Sequence, residues 1–273
     1  MNLFKKTLFS VGLAASLTAV NPNAYAAILP DFKVDPDMAT PLTNFTADKI
    51  TGNYAETIDF GLGTFNVSIR WNAGQFVMND GVDQLNGGGP GGTGLGATYG
   101  LYALFLGSGT FSTVAGVTTF LFTSSSFDLY KDVNLDTTLT DPGAGNATNQ
   151  WSRANFGDDL TLASGSQFGG GSVSGNGGSL NGGCTGANCG SFGITDSFVL
   201  TPDGEKFFID PRPFYNVTLG SGQFNAFTPT PGTTQKANGS ADFYFTTVPE
   251  PESLALLGIG LAGVGFSRRK QNI

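Results

Sequence analysis

The stretch TFNVSIRWN, residues 64–72, alternates large apolar residues with polar ones. Its apolar members are Phe65, Val67, Ile69 and Trp71. Because successive side chains of a β-strand point to opposite faces, this period of two places all four on one face of a strand. The pattern therefore predicts a strand with an apolar face and assigns Trp71 to the core of the protein.

Most of the remaining chain shows patterns of the same kind. Residues 241–246 alternate in the same way, and seven further runs are rich in β-branched and aromatic residues and bounded by Gly, Pro, Asn, Asp or Ser. These runs are 97–106, 117–123, 126–130, 158–163, 192–200, 206–209 and 215–219. No stretch of the body shows a sustained helical period with cap signals, so helix is at most minor. The sequence predicts an all-β fold, a single β-sandwich-like body with long Gly-rich loops at 86–96 and 165–190.

The N-terminal segment, residues 1–26, has the features of a secretory signal peptide. Two lysines precede an apolar stretch, residues 8–20, and small residues follow at Ala24 and Ala26, the positions that a signal peptidase reads. We expect cleavage between Ala26 and Ala27. A retained membrane anchor is the alternative, but the apolar stretch is well short of the ~20 residues that span a bilayer as a helix.

The exported body, residues 27–247, is acidic and contains no histidine. From Ala27 to Pro251 there are 20 acidic and 8 basic residues, a net charge of about −12. This charge argues against nucleic acid or anionic lipid as a partner, whereas divalent cations or neutral glycans fit better. Without histidine, the usual Ser-His and Cys-His nucleophile pairs are missing. The adjacent pair Asp158-Asp159 would point to opposite faces of a strand, so we predict a protein that is not an enzyme.

The two cysteines, Cys184 and Cys189, are separated by the four residues Thr-Gly-Ala-Asn. In an exported chain this spacing predicts a disulfide across a small loop. A redox-active pair is the alternative, but it would call for a CxxC spacing in a βαβ setting.

Two further features suggest ligand binding. Asp132, Asn134 and Asp136 resemble the first half of a calcium loop, since they place oxygen ligands at alternate positions. The stretch lacks the central Gly and the bidentate Glu of such a loop, so a polar loop without metal is the favoured alternative. Trp151, which lies among polar residues, is the better candidate for an exposed aromatic side chain that stacks on a sugar ring.

The C-terminal segment, residues 248–273, joins three features in order. It begins with a proline-bracketed motif, continues as the 13-residue apolar run 254–266 and ends with three basic residues. The motif residues are Pro249, Glu250 and Pro251, and the basic residues are Arg268, Arg269 and Lys270. A helix of this length spans about 20 Å, short of the ~30 Å hydrocarbon core. The basic residues are expected on the cytoplasmic side, so the run is predicted to insert transiently into the inner membrane.

This three-part arrangement resembles the PEP-CTERM sorting signal of Gram-negative bacteria that make exopolysaccharide. The resemblance implies that an exosortase, a membrane transpeptidase-like enzyme, recognises the proline-bracketed motif and cuts near it. The body would then be released or transferred to the cell surface or extracellular matrix.

Four blocks of the body, residues 47–56, 71–76, 99–104 and 189–193, resemble the flocculation-associated PEP-CTERM proteins. This resemblance implies a non-enzymatic role in holding cells together within an exopolysaccharide matrix, as flocs or biofilm. It brings no catalytic residues and no cofactor with it. A specific carbohydrate-binding module of the cell surface is the alternative function.

Overall fold

The computed structural model describes residues 29–38, 44–89, 91–166, 177–184, 188–221 and 227–246. The predicted signal peptide and the sorting segment lie outside the described residues. The same holds for the individual positions predicted there, which are Ala24, Ala26, Ala27, Pro249, Glu250, Pro251, Arg268, Arg269 and Lys270.

Within the described ranges the chain forms sixteen β-strands and one short helix. The first eight strands are β1 (Phe32–Val34), β2 (Phe45–Ala47), β3 (Lys49–Phe60), β4 (Thr64–Met78), β5 (Asp83–Gln84), β6 (Gly100–Val114), β7 (Val117–Asp132) and β8 (Thr138–Thr140). The next five are β9 (Ser152–Ala154), β10 (Leu160–Ser166), β11 (Gly177–Asn181), β12 (Gly190–Asp196) and β13 (Val199–Leu200). The helix α1 (Pro202–Phe207) follows, and the last strands are β14 (Phe208–Asp210), β15 (Asn216–Ser221) and β16 (Thr234–Thr246).

The all-β prediction is confirmed, and eight of the strands form a closed ring. Their order is β11-β12-β15-β16-β3-β4-β6-β7, and β7 pairs back to β11. The sequence suggested two stacked sheets, but β7 is 16 residues long and has neighbours on both sides. One side of β7 pairs along its length with β6, while on the other side its first part pairs with β11 and its second part with β10. β7 is therefore long enough to pair with both β11 and β10, and its pairing with β11 closes the ring.

The interior of the ring is filled by the apolar faces that the sequence predicts. Phe65, Val67, Ile69 and Trp71 are all buried, with exposures between 0% and 4%. The indole Nε1 of Trp71 donates to the carbonyl oxygen of Ala241 across 2.8 Å, so its polar atom is satisfied inside the core. The prediction of a strand with one apolar face, and of Trp71 in the core, is confirmed.

A second, three-stranded sheet, β14-β1-β2, extends the same core. Phe32 of β1 packs against Phe245 of the ring, with ring centroids 4.8 Å apart in an edge-to-face arrangement. Phe208 of β14 contacts both rings, with centroids 6.0 Å from Phe32 and 6.2 Å from Phe245. Aromatic contacts of this geometry join the small sheet to the ring.

Helix α1 replaces the first half of a predicted strand. The run 206–209 was expected to be extended, but Pro202–Phe207 is helical and strand β14 starts only at Phe208. Thr201 accepts a hydrogen bond from the backbone N–H of Gly204 across 3.0 Å, and proline occupies the first helical position. These are N-terminal signals of a helix, and they outweigh the β-propensity of the residues that follow. No helix in the described part of the chain is long and apolar enough to cross a membrane.

The position of Trp71 depends on a glycine in the neighbouring strand. A Cβ atom at Gly52 would lie 2.5 Å from Trp71 Cε2 and 2.4 Å from the backbone oxygen of Asn72. We therefore expect Gly52→Ala to lower the free energy of unfolding by about 2 kcal/mol, because neither the packed indole nor the strand backbone can move aside freely. Thermal or urea denaturation of the purified protein measures this change.

Gly157→Ala is the matched control, since a Cβ atom there would have nothing within 4 Å. Its effect should stay within about 0.5 kcal/mol. Equal stability of the two variants would show that the contact between Gly52 and Trp71 does not restrict the core.

Candidate functional site

The outer face of β3, β4, β6 and β7 is partly covered by the connection from β7 to β10. We call this connection, residues 133–159, the covering segment; it contains the hairpin of β8 and β9. Side chains of the segment and of the sheet form a small second core on this face. Its members are Tyr102, Leu104, Tyr130 and Trp151, with Ala55 and Leu139 packed against them.

Trp151 belongs to this second core and is not an exposed sugar-stacking residue. Its side chain is only 8% exposed, and its Nε1 donates to the carbonyl oxygen of Ser68 across 3.2 Å. The guanidinium carbon of Arg70 lies 5.1 Å from the centre of the indole, within the range of a cation–π contact. The prediction of an exposed Trp151 is therefore wrong, because the indole packs on the outer face of the sheet.

A polar network attaches the covering segment to the sheet. Tyr102 donates its hydroxyl hydrogen to Asp159, and Thr137 Oγ1 donates to the other carboxylate oxygen of Asp159 across 2.9 Å. Arg153 donates to the Tyr102 hydroxyl across 3.3 Å, and its guanidinium lies 4.2 Å from the ring centre of Tyr130. Burial raises the pKa of Tyr102, so this hydroxyl keeps its proton. Asp159 therefore helps to hold the covering segment on the sheet.

A cleft of about 420 Å³ lies between the covering segment and the sheet. Its polar lining comes from β4, β6, the end of β7 and the start of the segment, and includes Arg70, Asn72, Tyr102, Asp132 and Thr137. Leucines supply its apolar patches, and the volume falls in the range of small-ligand sites. The cleft offers hydrogen-bond donors and acceptors.

The predicted calcium loop is held by hydrogen bonds to Asp132. One carboxylate oxygen of Asp132 accepts from the backbone N–H groups of Leu135 (2.8 Å) and Asp136 (3.3 Å). The other oxygen accepts from the N–H of Thr137 (3.1 Å), while Asn134 and Asp136 are exposed. This is the polar loop that the sequence left as the alternative. No group of three or more His, Cys, Asp or Glu side chains among the described residues could hold a metal, and calcium binding stays a prediction.

The predicted disulfide between Cys184 and Cys189 is confirmed, with 5.5 Å between the two Cα atoms. It closes the connection from β11 to β12, where the N–H of Asn181 also donates to the carbonyl oxygen of Cys189 across 2.8 Å. The bond therefore holds together two strands of the ring next to the point where β11 meets β7.

Two carboxyl groups inside the ring were missed by the sequence analysis. Glu56 is fully buried beside a cavity of about 20 Å³, roughly the room of one water molecule, and its Oε1 has no hydrogen-bond partner. Burial raises the pKa of Glu56 from 4.5 to about 8. Asp196 accepts a 2.5 Å hydrogen bond from Ser125, and burial raises its pKa to about 6. The sequence does contain a signal for a buried Glu56. This residue lies between Tyr54 and Ile58 in the alternating pattern of β3, which places its side chain on the inward face.

Comparison with known proteins identifies the C-terminal segment. Residues 247–270 match the PEP-CTERM protein-sorting motif. The chain thus carries a PEP-CTERM sorting motif, which marks it as an exported protein that exosortase processes, with a destination at the cell surface or outside the cell. No curated protein and no solved structure matches the chain.

The buried position of Glu56 makes the stability of the protein depend on pH. Between pH 4.5 and pH 8 the unfolded state has lost the Glu56 proton while the folded state retains it. Stability should therefore fall as the pH rises, by on the order of 4 kcal/mol between pH 5 and pH 8. Glu56→Gln removes the ionisable group at nearly constant shape. The variant should match the wild type near pH 5 and exceed it at pH 8 in urea denaturation.

Asp196→Asn provides the comparison for Glu56→Gln. The raised pKa of Asp196, about 6, confines its effect to the window between pH 3.8 and pH 6. This substitution should flatten only the acidic part of the stability profile. Parallel profiles for Glu56→Gln and wild type from pH 5 to pH 8 would contradict a buried, protonated Glu56.

Proposed function

We propose that the protein is a non-enzymatic component of the cell surface or extracellular matrix of a Gram-negative bacterium. In this role it promotes floc or biofilm formation through contacts with exopolysaccharide. The observation that carries the proposal is the sorting motif at residues 247–270, which follows directly after the last strand of the β body. The blocks of the body that resemble flocculation-associated PEP-CTERM proteins support it further.

The character of the body supports a contact role. A ring of hydrogen-bonded strands is a rigid scaffold, and its outer face carries polar clefts that can contact hydroxyl-rich polymers. The net charge of about −12 disfavours binding to nucleic acid and anionic lipid. The chain has no histidine, and the carboxylate of Asp159 is engaged in hydrogen bonds that hold the covering segment. A matrix protein of this kind would act through many weak contacts.

Processing is tested by intact mass spectrometry of the protein recovered from cells and culture medium. The wild-type mass should correspond to a chain that begins at Ala27 and ends near the motif. A Pro249→Ala, Glu250→Ala double variant should keep its C-terminal segment and stay with the membrane fraction. Thr246→Ala, just before the motif, is the control and should be processed like the wild type. Identical masses for the wild type and the double variant would contradict recognition of these residues.

Cohesion is tested by deleting the gene and measuring floc settling and biofilm mass. We expect slower settling and less biofilm, with recovery when the full gene is restored. Restoring the Pro249→Ala, Glu250→Ala variant should give little recovery, because its body is not delivered to the matrix. Unchanged flocs in the deletion strain would overturn the proposed function.

A further inference from the structure

One row of polar side chains crosses five strands on the outer face of the ring. Strand register places Thr234 opposite Asp59, Asp59 opposite Asn66, Asn66 opposite Ser108, and Ser108 opposite Ser124. The row thus runs through β16, β3, β4, β6 and β7 at right angles to the strands. Since neighbouring strands lie about 4.8 Å apart, the row is about 19 Å long. We call it the polar row.

The covering segment forms a wall along the polar row. Asp59 Oδ1 accepts from the backbone N–H of Gly145 across 3.0 Å, and Asp59 Oδ2 accepts from the N–H of Ala147 across 2.7 Å. Thr234 Oγ1 donates to Asp59 Oδ1 across 2.5 Å. These hydrogen bonds hold residues 145–148 beside the polar row. The polar row is the floor of this region, and residues 145–148 are its wall.

Floor and wall enclose two adjoining pockets of about 390 and 350 Å³. Both are lined by Asn66 and Thr148, and we call the two together the groove. Ser124 is exposed and Ser108 is half-buried, with 2.7 Å between their hydroxyl oxygens. The groove is therefore open to solvent and long enough for several sugar rings in a row.

The lining of the groove selects for an uncharged, hydroxyl-rich ligand. Hydroxyl and amide groups dominate it, and each can both donate and accept hydrogen bonds. Neither Lys nor Arg is among the described residues that line it, so an anion would find no cationic partner there. Its one carboxylate, Asp59, already accepts three hydrogen bonds. Leu106, which is half-buried, supplies an apolar patch for the C–H face of a sugar ring.

We propose that this groove binds an uncharged stretch of polysaccharide lying across the strands, along the polar row. The inference rests on the proposed function and deepens it, because it names the contact surface and the chemical class of the polymer. The strand spacing of about 4.8 Å is comparable with the advance of an extended pyranose chain per sugar unit, so successive units meet successive strands.

The test compares the purified mature protein on soluble neutral and acidic polysaccharides by affinity electrophoresis and calorimetry. The neutral probes are mixed-linkage β-glucan, galactomannan and the neutral fraction of the native exopolysaccharide, and the acidic probe is alginate. We expect binding to at least one neutral probe and none to alginate. A Ser108→Ala, Ser124→Ala double variant should bind at least about fivefold more weakly, since it loses hydrogen-bonding groups from the floor.

The matched control removes two hydroxyls from the same hairpin outside the groove. Ser112 and Thr119 face each other on β6 and β7 and are both exposed. The Ser112→Ala, Thr119→Ala double variant should bind like the wild type. Ser124→Glu, at an exposed position, adds bulk and a negative charge to the groove and should also weaken binding. Thermal melting establishes that all variants are folded.

The outcomes separate this inference from the proposed function. Binding to none of the neutral probes, tighter binding to alginate, or equal binding by the two double variants would each overturn the groove assignment. Restoring the deletion strain with the Ser108→Ala, Ser124→Ala gene adds a second comparison. Full recovery of flocs by this gene would reject the groove and leave the proposed function intact, whereas normal flocs in the deletion strain itself would reject the function.

Discussion

The pairing of one long strand with three neighbours determines the architecture. β7 is hydrogen-bonded to β6 along one side, and to β11 and then β10 along the other. The contact with β11 closes eight strands into a ring, which leaves these strands without a free edge over the paired length. The pairing with β10 uses the second part of β7, beyond the residues that pair with β11. The chain between β7 and β10 forms the covering segment. The packed interior of the ring and its partly covered outer face both depend on these pairings of β7.

The sequence predicted the local features of this fold and missed the non-local ones. The alternation in residues 64–72 predicts strand β4 and its buried face, because the period of two is a property of the strand alone. The runs 117–123 and 126–130 predicted two strands with a break at residues 124–125, yet β7 continues through these residues with a register shift opposite Ser108 and Gly109. Closure of the ring depends on pairing between residues that are far apart in the sequence. A local sequence pattern carries no information about such a pairing. The burial of Trp151 likewise depends on where the covering segment lies.

The buried side chain of Glu56 lowers the stability of the folded protein. Its carboxyl group lies among aromatic side chains, and its Oε1 has no hydrogen-bond partner. Burial raises its pKa so that it stays protonated at neutral pH, and its desolvation lowers the stability of the fold. Asp196 is less affected, since the Ser125 hydroxyl donates to it. The adjacent cavity is too small for a ligand larger than about one water, so the interior supplies rigidity. A polymer of the kind proposed above would therefore have to contact the outer face.

On the outer face of the ring, a cluster of aromatic side chains is buried, whereas the polar row stays partly exposed. Tyr102 and Tyr130 lie opposite each other on β6 and β7, and the covering segment buries these two aromatic side chains. The polar row contains no apolar side chain, and covering it completely would desolvate groups at about 1–3 kcal/mol for each one left without a partner. Thr234, at one end of the polar row, is the first residue of β16, and Thr246, which directly precedes the sorting motif in the sequence, is its last. The strand can place these two residues up to about 40 Å apart. Cleavage at the motif would therefore leave this end of the proposed groove remote from the processed end of the β body.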